Sequence, residues 1–212
     1  IVQEILKSKE IECKSFIRNH PVYEGVKNRD YIDDKRAGMD IMDIEPGRCY
    51  YRVNAAVRNP IFYLPDYVRR CSHVCTFSET NSETENVLHR FDKIIYIVRD
   101  PRDTAIAAAN FAFTPYMKRY HPHDFNSVEE YLDHNFEGLL LQWKRHLLEY
   151  LMLRDSFKMY FIPYENVIDD FKSGVEQLST YLGFQLSNNE VLNLSKAVNC
   201  DGMTTKDNGP FR

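Results

Sequence analysis

The sequence predicts an α/β fold in which a central parallel sheet carries helices on both faces. Two short apolar runs, residues 93–98 and 159–162, have the β-branched and aromatic composition of strands buried on both faces of such a sheet. Each run is followed by a stretch with helical periodicity, and a long helical stretch separates the two. The order strand, helix, helix, strand, helix is typical of parallel strands joined by helical crossovers.

Length and charge limit the classes of protein to consider. At 212 residues the chain is long enough for one domain with a sizeable core, so we expect a single domain over residues 1–212. Its 27 basic and 31 acidic residues give a net charge of −4, so no overall positive field favours nucleic acid or an anionic membrane. We therefore expect neither partner, and the association of two copies into a homodimer stays open.

The cysteines predict a reducing environment. Their number, five, is odd, and their spacing matches no zinc-binding pattern. Reduced, partly buried thiols are typical of proteins in a reducing compartment. No apolar run approaches the roughly 20 residues that span a bilayer, and no signal peptide is visible at the start of the chain. The sequence therefore predicts a cytoplasmic protein.

The first third of the chain has weak structural signals. Residues 1–9 have the periodicity of an amphipathic helix but no N-cap residue, and the chain stops abruptly at Arg212, so we expect a domain truncated at both ends. Residues 20–66 contain four prolines and predict loops and short helices. A short strand is predicted over residues 68–74.

The remaining elements have clearer signals. After the strand at 93–98, an alanine-rich stretch from Thr104 to about residue 113 predicts a helix. Ser127 and Glu130 have the spacing of a capping box at the start of a long amphipathic helix. The strand at 159–162 is followed by a predicted helix over residues 169–182, which ends at Gly183 because glycine readily adopts the left-handed conformation of a helix terminus.

Two turns are candidates for a ligand site, because ligands of open parallel sheets bind beyond the carboxyl ends of the strands. The turn after the first strand contains Arg99 and Arg102 and leads into a helix N-terminus, features that suit a phosphate dianion. The turn after the second strand contains Tyr164. The alternative for the first turn is an ordinary salt bridge between Arg99 and Asp103.

Four segments resemble the sulfotransferase family. They are the segment KIIYIVRDPRDTAIAAANF at 93–111, the Trp-x-x-His pattern of Trp143 and His146, the segment YFIPYENVIDDFKSGVEQLSTYLGF at 160–184, and GPFR at 209–212. They occur in the same order as in the family, within residues 91–212. The resemblance implies the sulfotransferase form of the P-loop NTPase-like fold.

The resemblance also implies a reaction and its residues. The donor would be 3′-phosphoadenosine 5′-phosphosulfate (PAPS), the product nucleotide 3′-phosphoadenosine 5′-phosphate (PAP), and the acceptor a hydroxyl or amine of a small molecule, with no metal. It implies that Arg99 and Arg212 bind the 3′-phosphate and that Tyr164 lies beside the adenine. His73 would be the catalytic base, at the end of the strand predicted at 68–74. An imidazole suits that task because its pKa of about 6.5 lies near neutral pH.

Three departures from the family pattern keep other functions open. The family's Gly-rich loop for the 5′-phosphosulfate is absent, Ala107 stands where the family has serine, and Cys71 stands where it has lysine. We expect the loop to precede Ile1, whereas Ala107 and Cys71 favour a nucleotide-binding relative or interaction module that has lost catalysis. A small-molecule kinase of related fold is a third possibility, and it would need carboxylate ligands for Mg²⁺.

Overall fold

The computed structural model describes residues 1–19, 39–53 and 58–198, and the chain divides into two units. The first unit contains Ile1–Ile94 together with Ser156–Lys158. The second contains Ile95–Asp155 and the chain from Met159 onward. The α/β fold class is confirmed, whereas the assignment of the whole chain to one domain stays a prediction.

The first unit is built around a four-stranded mixed sheet with the order β3-β2-β1-β4. Strand β4 runs parallel to β1, and β2 pairs antiparallel with both β1 and β3. The described residues of this unit also form three short α-helices. The elements are α1 (Val2–Ser8), β1 (Asp40–Glu45), β2 (Arg48–Arg52), β3 (Arg58–Pro60), α2 (Leu64–Arg69), β4 (Val74–Cys75) and α3 (Thr84–Leu88).

The antiparallel strands correct the prediction of loops and short helices between residues 20 and 66. A hairpin joins β1 to β2, and Glu45 pairs with Arg48 across the two-residue turn Pro46-Gly47. Proline sets the first turn position, and Gly47 has the positive φ of 75° that the second position requires. One of the prolines that suggested an irregular chain, Pro46, therefore forms part of a hairpin turn. Residues 20–38 and 54–57 of the predicted stretch 20–66 lie outside the described residues.

The predicted strand at 68–74 is also wrong. Val68 belongs to helix α2, and only Val74 and Cys75 form β4. Pro65 occupies the first turn of α2, where a missing N–H has no cost, and Tyr67 turns inward with only 2% of its surface exposed. The β-branched Val68 suggested a strand, but packing of Tyr67 against Phe16, with ring centroids 4.9 Å apart, stabilises a helix instead.

The second unit contains the parallel strand pair β5 and β6 and six helices. Among the residues from 95 to 198 outside 156–158, these elements are β5 (Ile95–Val98), α4 (Pro101–Ala112), α5 (Pro115–Tyr120), α6 (Val128–Leu153), β6 (Tyr160–Pro163), α7 (Tyr164–Asp169), α8 (Phe171–Leu182) and α9 (Asn188–Val198). No helix in any of the described ranges combines the length and apolar character needed to cross a membrane.

Local sequence signals set the ends of these helices. The Ser127 hydroxyl accepts a hydrogen bond from the Glu130 N–H at 3.2 Å and so caps α6, as predicted. Asp170 caps α8 by accepting from the Ser173 N–H at 3.0 Å, and Gly183 ends that helix with a φ of 91°. Short helix α7 precedes α8, so the predicted single helix over 169–182 is two helices divided at Asp170.

Helix α6 packs against both α4 and β5. Buried Ala105, Ala109 and Ala112 lie on one face of α4, where their small side chains permit close approach to α6. On β5, the Tyr96 hydroxyl lies 2.7 Å from Nδ1 of His146 on α6. The expectation that β5 is buried on both faces is wrong, because Ile97 is 64% exposed. Side chains alternate along a strand, and α6 covers only the face of Tyr96.

Gly174 offers a test of packing between α7 and α8. A Cβ atom at Gly174 would lie 2.9 Å from the Cα of Val167, closer than real atoms approach. Gly174→Ala is therefore expected to lower the free energy of unfolding by about 1–3 kcal/mol, as overpacking does. Gly138→Ala in α6 is the matched control, because its Cβ would meet nothing within 4 Å. It should raise stability by up to about 1 kcal/mol through helix propensity. Urea unfolding of both variants measures the difference, and a stabilised Gly174→Ala would contradict the packing.

Candidate nucleotide-binding site

The strand register brings the two predicted turns together. Val98 of β5 pairs with Pro163 of β6, and the strands are parallel. The residues that follow, Arg99 and Tyr164, therefore lie at the same carboxyl edge, as the sequence predicts. Helix α4 begins two residues after Arg99, and α7 begins at Tyr164 itself.

The Arg99 guanidinium lies over the Tyr164 ring, with its central carbon 5.0 Å from the ring centroid. The side chain is half-buried, and its enclosed Nε has no hydrogen-bond partner among the described residues. Within the described part of the chain, no carboxylate lies within ion-pair distance of this guanidinium, so the alternative pair between Arg99 and Asp103 does not form. A buried donor without an acceptor is costly. The arrangement fits an anionic ligand that would accept from Arg99.

Arg102, the second predicted cation, is already engaged by Asp100. Its guanidinium contacts the two Asp100 oxygens at 3.0 and 2.6 Å, and the Asp100 carboxylate also caps α4 by accepting from the Arg102 N–H at 2.8 Å. These contacts, first of all the one from the Arg102 side chain, lower the pKa of Asp100 to about 2. Asp100 thus occupies the helix N-terminus as its cap. Of the two arginines in this turn, Arg102 is paired with Asp100, and Arg99 is the one whose charge could bind an anion.

Two distant side chains hold the backbone of this turn. The Trp143 indole N–H donates to the Arg99 carbonyl at 3.1 Å, and the Asp100 N–H donates to the Glu165 carboxylate at 2.7 Å. Both residues lie within the motifs that resemble sulfotransferases, but the sequence alone assigned them no role. Their partners are 44 and 65 residues away along the chain, and no local pattern indicates such pairing.

The Trp-x-x-His pattern places its histidine away from the Arg99 turn. His146 contacts the Tyr96 hydroxyl and stacks on Tyr150, with ring centroids 4.8 Å apart. These contacts join α6 to β5. His146 is therefore a packing residue.

His73 lies in the first unit, directly before β4. The predicted position at the end of a strand is wrong, because the strand begins at Val74 and its carboxyl end is followed by Thr76 and Phe77. β4 runs parallel to β1, and Val74 pairs with Asp40 at the amino end of both strands. His73 is thus at the amino end of this parallel pair.

The surroundings of His73 favour a neutral imidazole. The ring is half-buried, and no residue of the ranges that the structure describes forms a hydrogen bond with its enclosed Nδ1. Burial lowers the pKa of His73, and the nearby Asp40 opposes that shift only in part. Asp40 is 1% exposed and accepts the Ile17 N–H at 3.0 Å, but burial still raises its pKa.

The lowered pKa of His73 predicts a loss of stability in acid. In the unfolded chain, imidazole takes up a proton as the pH falls through about 6.5, whereas the folded chain takes it up only at lower pH. Acidification from pH 7.5 to 5.5 should therefore reduce the stability of the wild type more than that of His73→Gln. The raised pKa of Asp40 acts in the opposite sense; its main cause, burial, is present in both proteins, and His73 lowers it only as the smallest of several causes. Urea unfolding at the two pH values measures the difference, and identical acid responses would contradict a neutral buried His73.

The other positions singled out by the sequence have mixed outcomes. Ala107 is exposed on α4, two turns after its start. Cys71 is half-buried between α2 and β4, and burial raises the pKa of its thiol to about 12. Arg212 lies outside the described residues, so its contact with the 3′-phosphate stays a prediction. Within the described ranges, no group of three or more His, Cys, Asp or Glu side chains is placed to hold a metal ion.

Comparison with known proteins identifies the family. The family described as "Sulfotransferase domain" matches residues 68–208, about two thirds of the chain. The chain belongs to this family. The match includes His73, Arg99 and Tyr164, and it extends over parts of both units.

Similar proteins are sulfotransferases of more than one kind. The chain is 28% identical over 101 residues to the 3-beta-hydroxysteroid sulfotransferase of Cavia porcellus, a match covering 47% of this chain and 34% of that protein. It is 28% identical over 99 residues to the amine sulfotransferase of Oryctolagus cuniculus, covering 47% and 32%. The alignments thus span about a third of the length of these relatives.

A solved structure supports the fold. The mouse sulfotransferase SULT7A1, crystallised with PAP, matches with a TM-score of 0.51 and 21% sequence identity, over 68% of this chain and 53% of that one. At this identity the likeness establishes the sulfotransferase fold of the chain.

Proposed function

We propose that this chain binds the donor nucleotide PAPS through Arg99 and Tyr164 and transfers its sulfuryl group to a small-molecule hydroxyl or amine. The observation that carries the proposal is the Arg99 guanidinium at the carboxyl edge of β5, with a buried Nε that has no acceptor and no carboxylate in the described chain to neutralise it. A 3′-phosphate would supply acceptor oxygens to it. Exposed parts of the Tyr164 ring would adjoin the adenine.

The transfer itself requires positioning more than covalent chemistry. The acceptor oxygen or nitrogen forms a bond to sulfur as the bond from sulfur to the bridging phosphate oxygen breaks. PAP leaves with that bonding pair, and the acceptor's proton passes to a base. As in phosphoryl transfer, charge spreads over the equatorial oxygens, so cationic groups and alignment provide most of the catalysis. Arg99 contributes by fixing the nucleotide end of the donor, and Arg212 is predicted to share that task.

His73 is the proposed general base. Its buried surroundings lower the pKa and so favour the neutral imidazole, which is the form that accepts a proton near neutral pH. Its position at the amino end of β4 departs from the strand end on which the assignment was based. The role therefore rests on the family resemblance and on the ionisation of the side chain.

The names of the relatives suggest which acceptors to test. Their names specify hydroxysteroids and amines. A panel of steroid alcohols and primary amines is thus the appropriate screen. Cytoplasmic location and a homodimeric state stay predictions.

A second function, nucleotide binding without catalysis, is favoured by specific observations. Ala107 and Cys71 replace residues that the family resemblance expects as serine and lysine, and His73 lies at the amino end of its strand. Such a protein would bind PAP and transfer nothing. The two functions agree on donor binding and differ only in turnover.

The deciding experiment incubates the protein with sulfur-labelled PAPS and the acceptor panel. Transfer of label to an acceptor, with equal release of PAP, supports the enzyme. Binding of PAP in calorimetry without label transfer to any acceptor supports the non-catalytic relative. Absence of PAP binding would overturn both.

A further inference from the structure

We propose that Trp143 and Glu165 are positioning residues for donor binding, which clamp from both sides the peptide group that follows Arg99. The Arg99 carbonyl and the Asp100 N–H belong to one peptide group. Trp143 of α6 donates to the first at 3.1 Å, and Glu165 of α7 accepts from the second at 2.7 Å. This inference rests on the proposed function, because it concerns how Arg99 is presented to the 3′-phosphate.

A peptide group is planar, so two hydrogen bonds in opposite directions fix its rotation. The rotation of this group is set by ψ of Arg99 and φ of Asp100, the two torsions at the junction of β5 and α4. Asp100 is the N-cap of α4, so its N–H lies outside the helical hydrogen-bond ladder and needs another acceptor. Glu165 provides that acceptor with a carboxylate, which makes the bond charge-assisted and strong.

The clamp and the aromatic support come from neighbouring residues. The Tyr164 ring packs against the Arg99 guanidinium, and Glu165 accepts a hydrogen bond from the peptide group that follows the Arg99 Cα. The parallel register of β5 and β6 places both at this position. Backbone and side chain of Arg99 are thus held by the first turn of α7, and Trp143 completes the support from α6.

The same arrangement keeps the charge of Arg99 available. Glu165 is the carboxylate adjacent to Tyr164, yet it bonds to a backbone N–H and does not form an ion pair with Arg99 within the described residues. A carboxylate paired with the guanidinium would compete with a phosphate. The clamp therefore both orients Arg99 and holds a competing anion away from it.

The test compares binding of PAP and of adenosine 5′-phosphate by calorimetry in four variants. Glu165→Ala and Trp143→Phe each remove one hydrogen bond, and each should weaken PAP binding about 3- to 10-fold, on the scale of one hydrogen bond. Binding of adenosine 5′-phosphate, which lacks the 3′-phosphate, should stay the same. Glu165→Gln keeps an acceptor oxygen and should recover most of the PAP affinity. Asp169→Ala, an exposed carboxylate of the same helix, is the control for lost charge and should leave both affinities unchanged.

The outcomes separate this inference from the proposed function. If the wild type binds PAP and adenosine 5′-phosphate equally, both the proposed function and the clamp are overturned. If the wild type discriminates and Glu165→Ala and Trp143→Phe discriminate equally well, only the clamp is overturned. Equal losses for both nucleotides would make Trp143 and Glu165 general packing residues and would also overturn it. Circular dichroism of each variant identifies any that fails to fold; if Glu165→Ala does, the comparison of the two nucleotides in Trp143→Phe decides the result.

Discussion

Replacing Arg99 with alanine is expected to weaken PAP binding by about 2–4 kcal/mol, the scale of losing a charge-assisted contact to a phosphate. Adenosine 5′-phosphate should lose little affinity, because it lacks the group that Arg99 is proposed to bind. Arg99→Lys should give an intermediate loss, since it keeps the charge but not the planar fork of donors. Calorimetric titration with the two nucleotides measures all three effects.

Arg154 provides a matched control for this experiment. Its guanidinium also lies over an aromatic ring of the second unit, 5.6 Å from the centroid of Phe161. It follows the end of α6, away from the Arg99 turn in sequence, so Arg154→Ala should leave PAP binding unchanged. A similar loss in Arg99→Ala for both nucleotides, or a loss in Arg154→Ala as large as that in Arg99→Ala, would refute the assignment of the phosphate to Arg99.

Replacing His73 with alanine is expected to reduce sulfuryl transfer by roughly 10²–10⁴-fold, the usual contribution of a general base. PAP affinity should change little, because a base acts in the transition state and hardly contacts the bound donor. The substitution should therefore lower the turnover number and leave PAP affinity nearly unchanged. Steady-state assays with an acceptor from the panel, together with calorimetry, separate the two quantities.

His89→Ala is the control for loss of an imidazole in the same unit. His89 is exposed at the end of α3, and its ring is tilted against that of Phe157, with ring centroids 4.7 Å apart. Its removal should leave turnover near the wild-type level. If His73→Ala keeps normal turnover but differs from the wild type in acid stability, His73 is a buried packing residue and the base lies elsewhere. Its position before β4 makes this the most informative alternative outcome.

The sequence alone was sufficient to predict the parallel strand pair and the position of Arg99 beside Tyr164. Apolar β-branched runs indicate parallel strands, and parallel pairing carries the residue after each strand to one edge, so neighbours at that edge follow from two local patterns. The ends of two helices could also be predicted, because Ser127 caps a backbone N–H three residues away and Gly183 ends its helix through its own backbone conformation.

Features that depend on packing between residues distant in sequence could not be predicted from the sequence. The hairpin of β1 and β2 had a Pro-Gly turn as its signal, but its strands are stabilised by pairing and by the buried core around Met42 and Tyr51. Val68 has a strand-forming side chain, yet the burial of Tyr67 places it in a helix. The same limit applies to the hydrogen bonds at the Arg99 peptide group, whose partners come from two other helices.

The most direct test of the central claim is a crystal structure of the protein with PAP. We expect the 3′-phosphate within hydrogen-bond distance of the Arg99 guanidinium and the adenine against Tyr164, with the hydrogen bonds from Trp143 and to Glu165 kept. A 3′-phosphate bound elsewhere, with Arg99 still on the Tyr164 ring and without contact to the nucleotide, would contradict it.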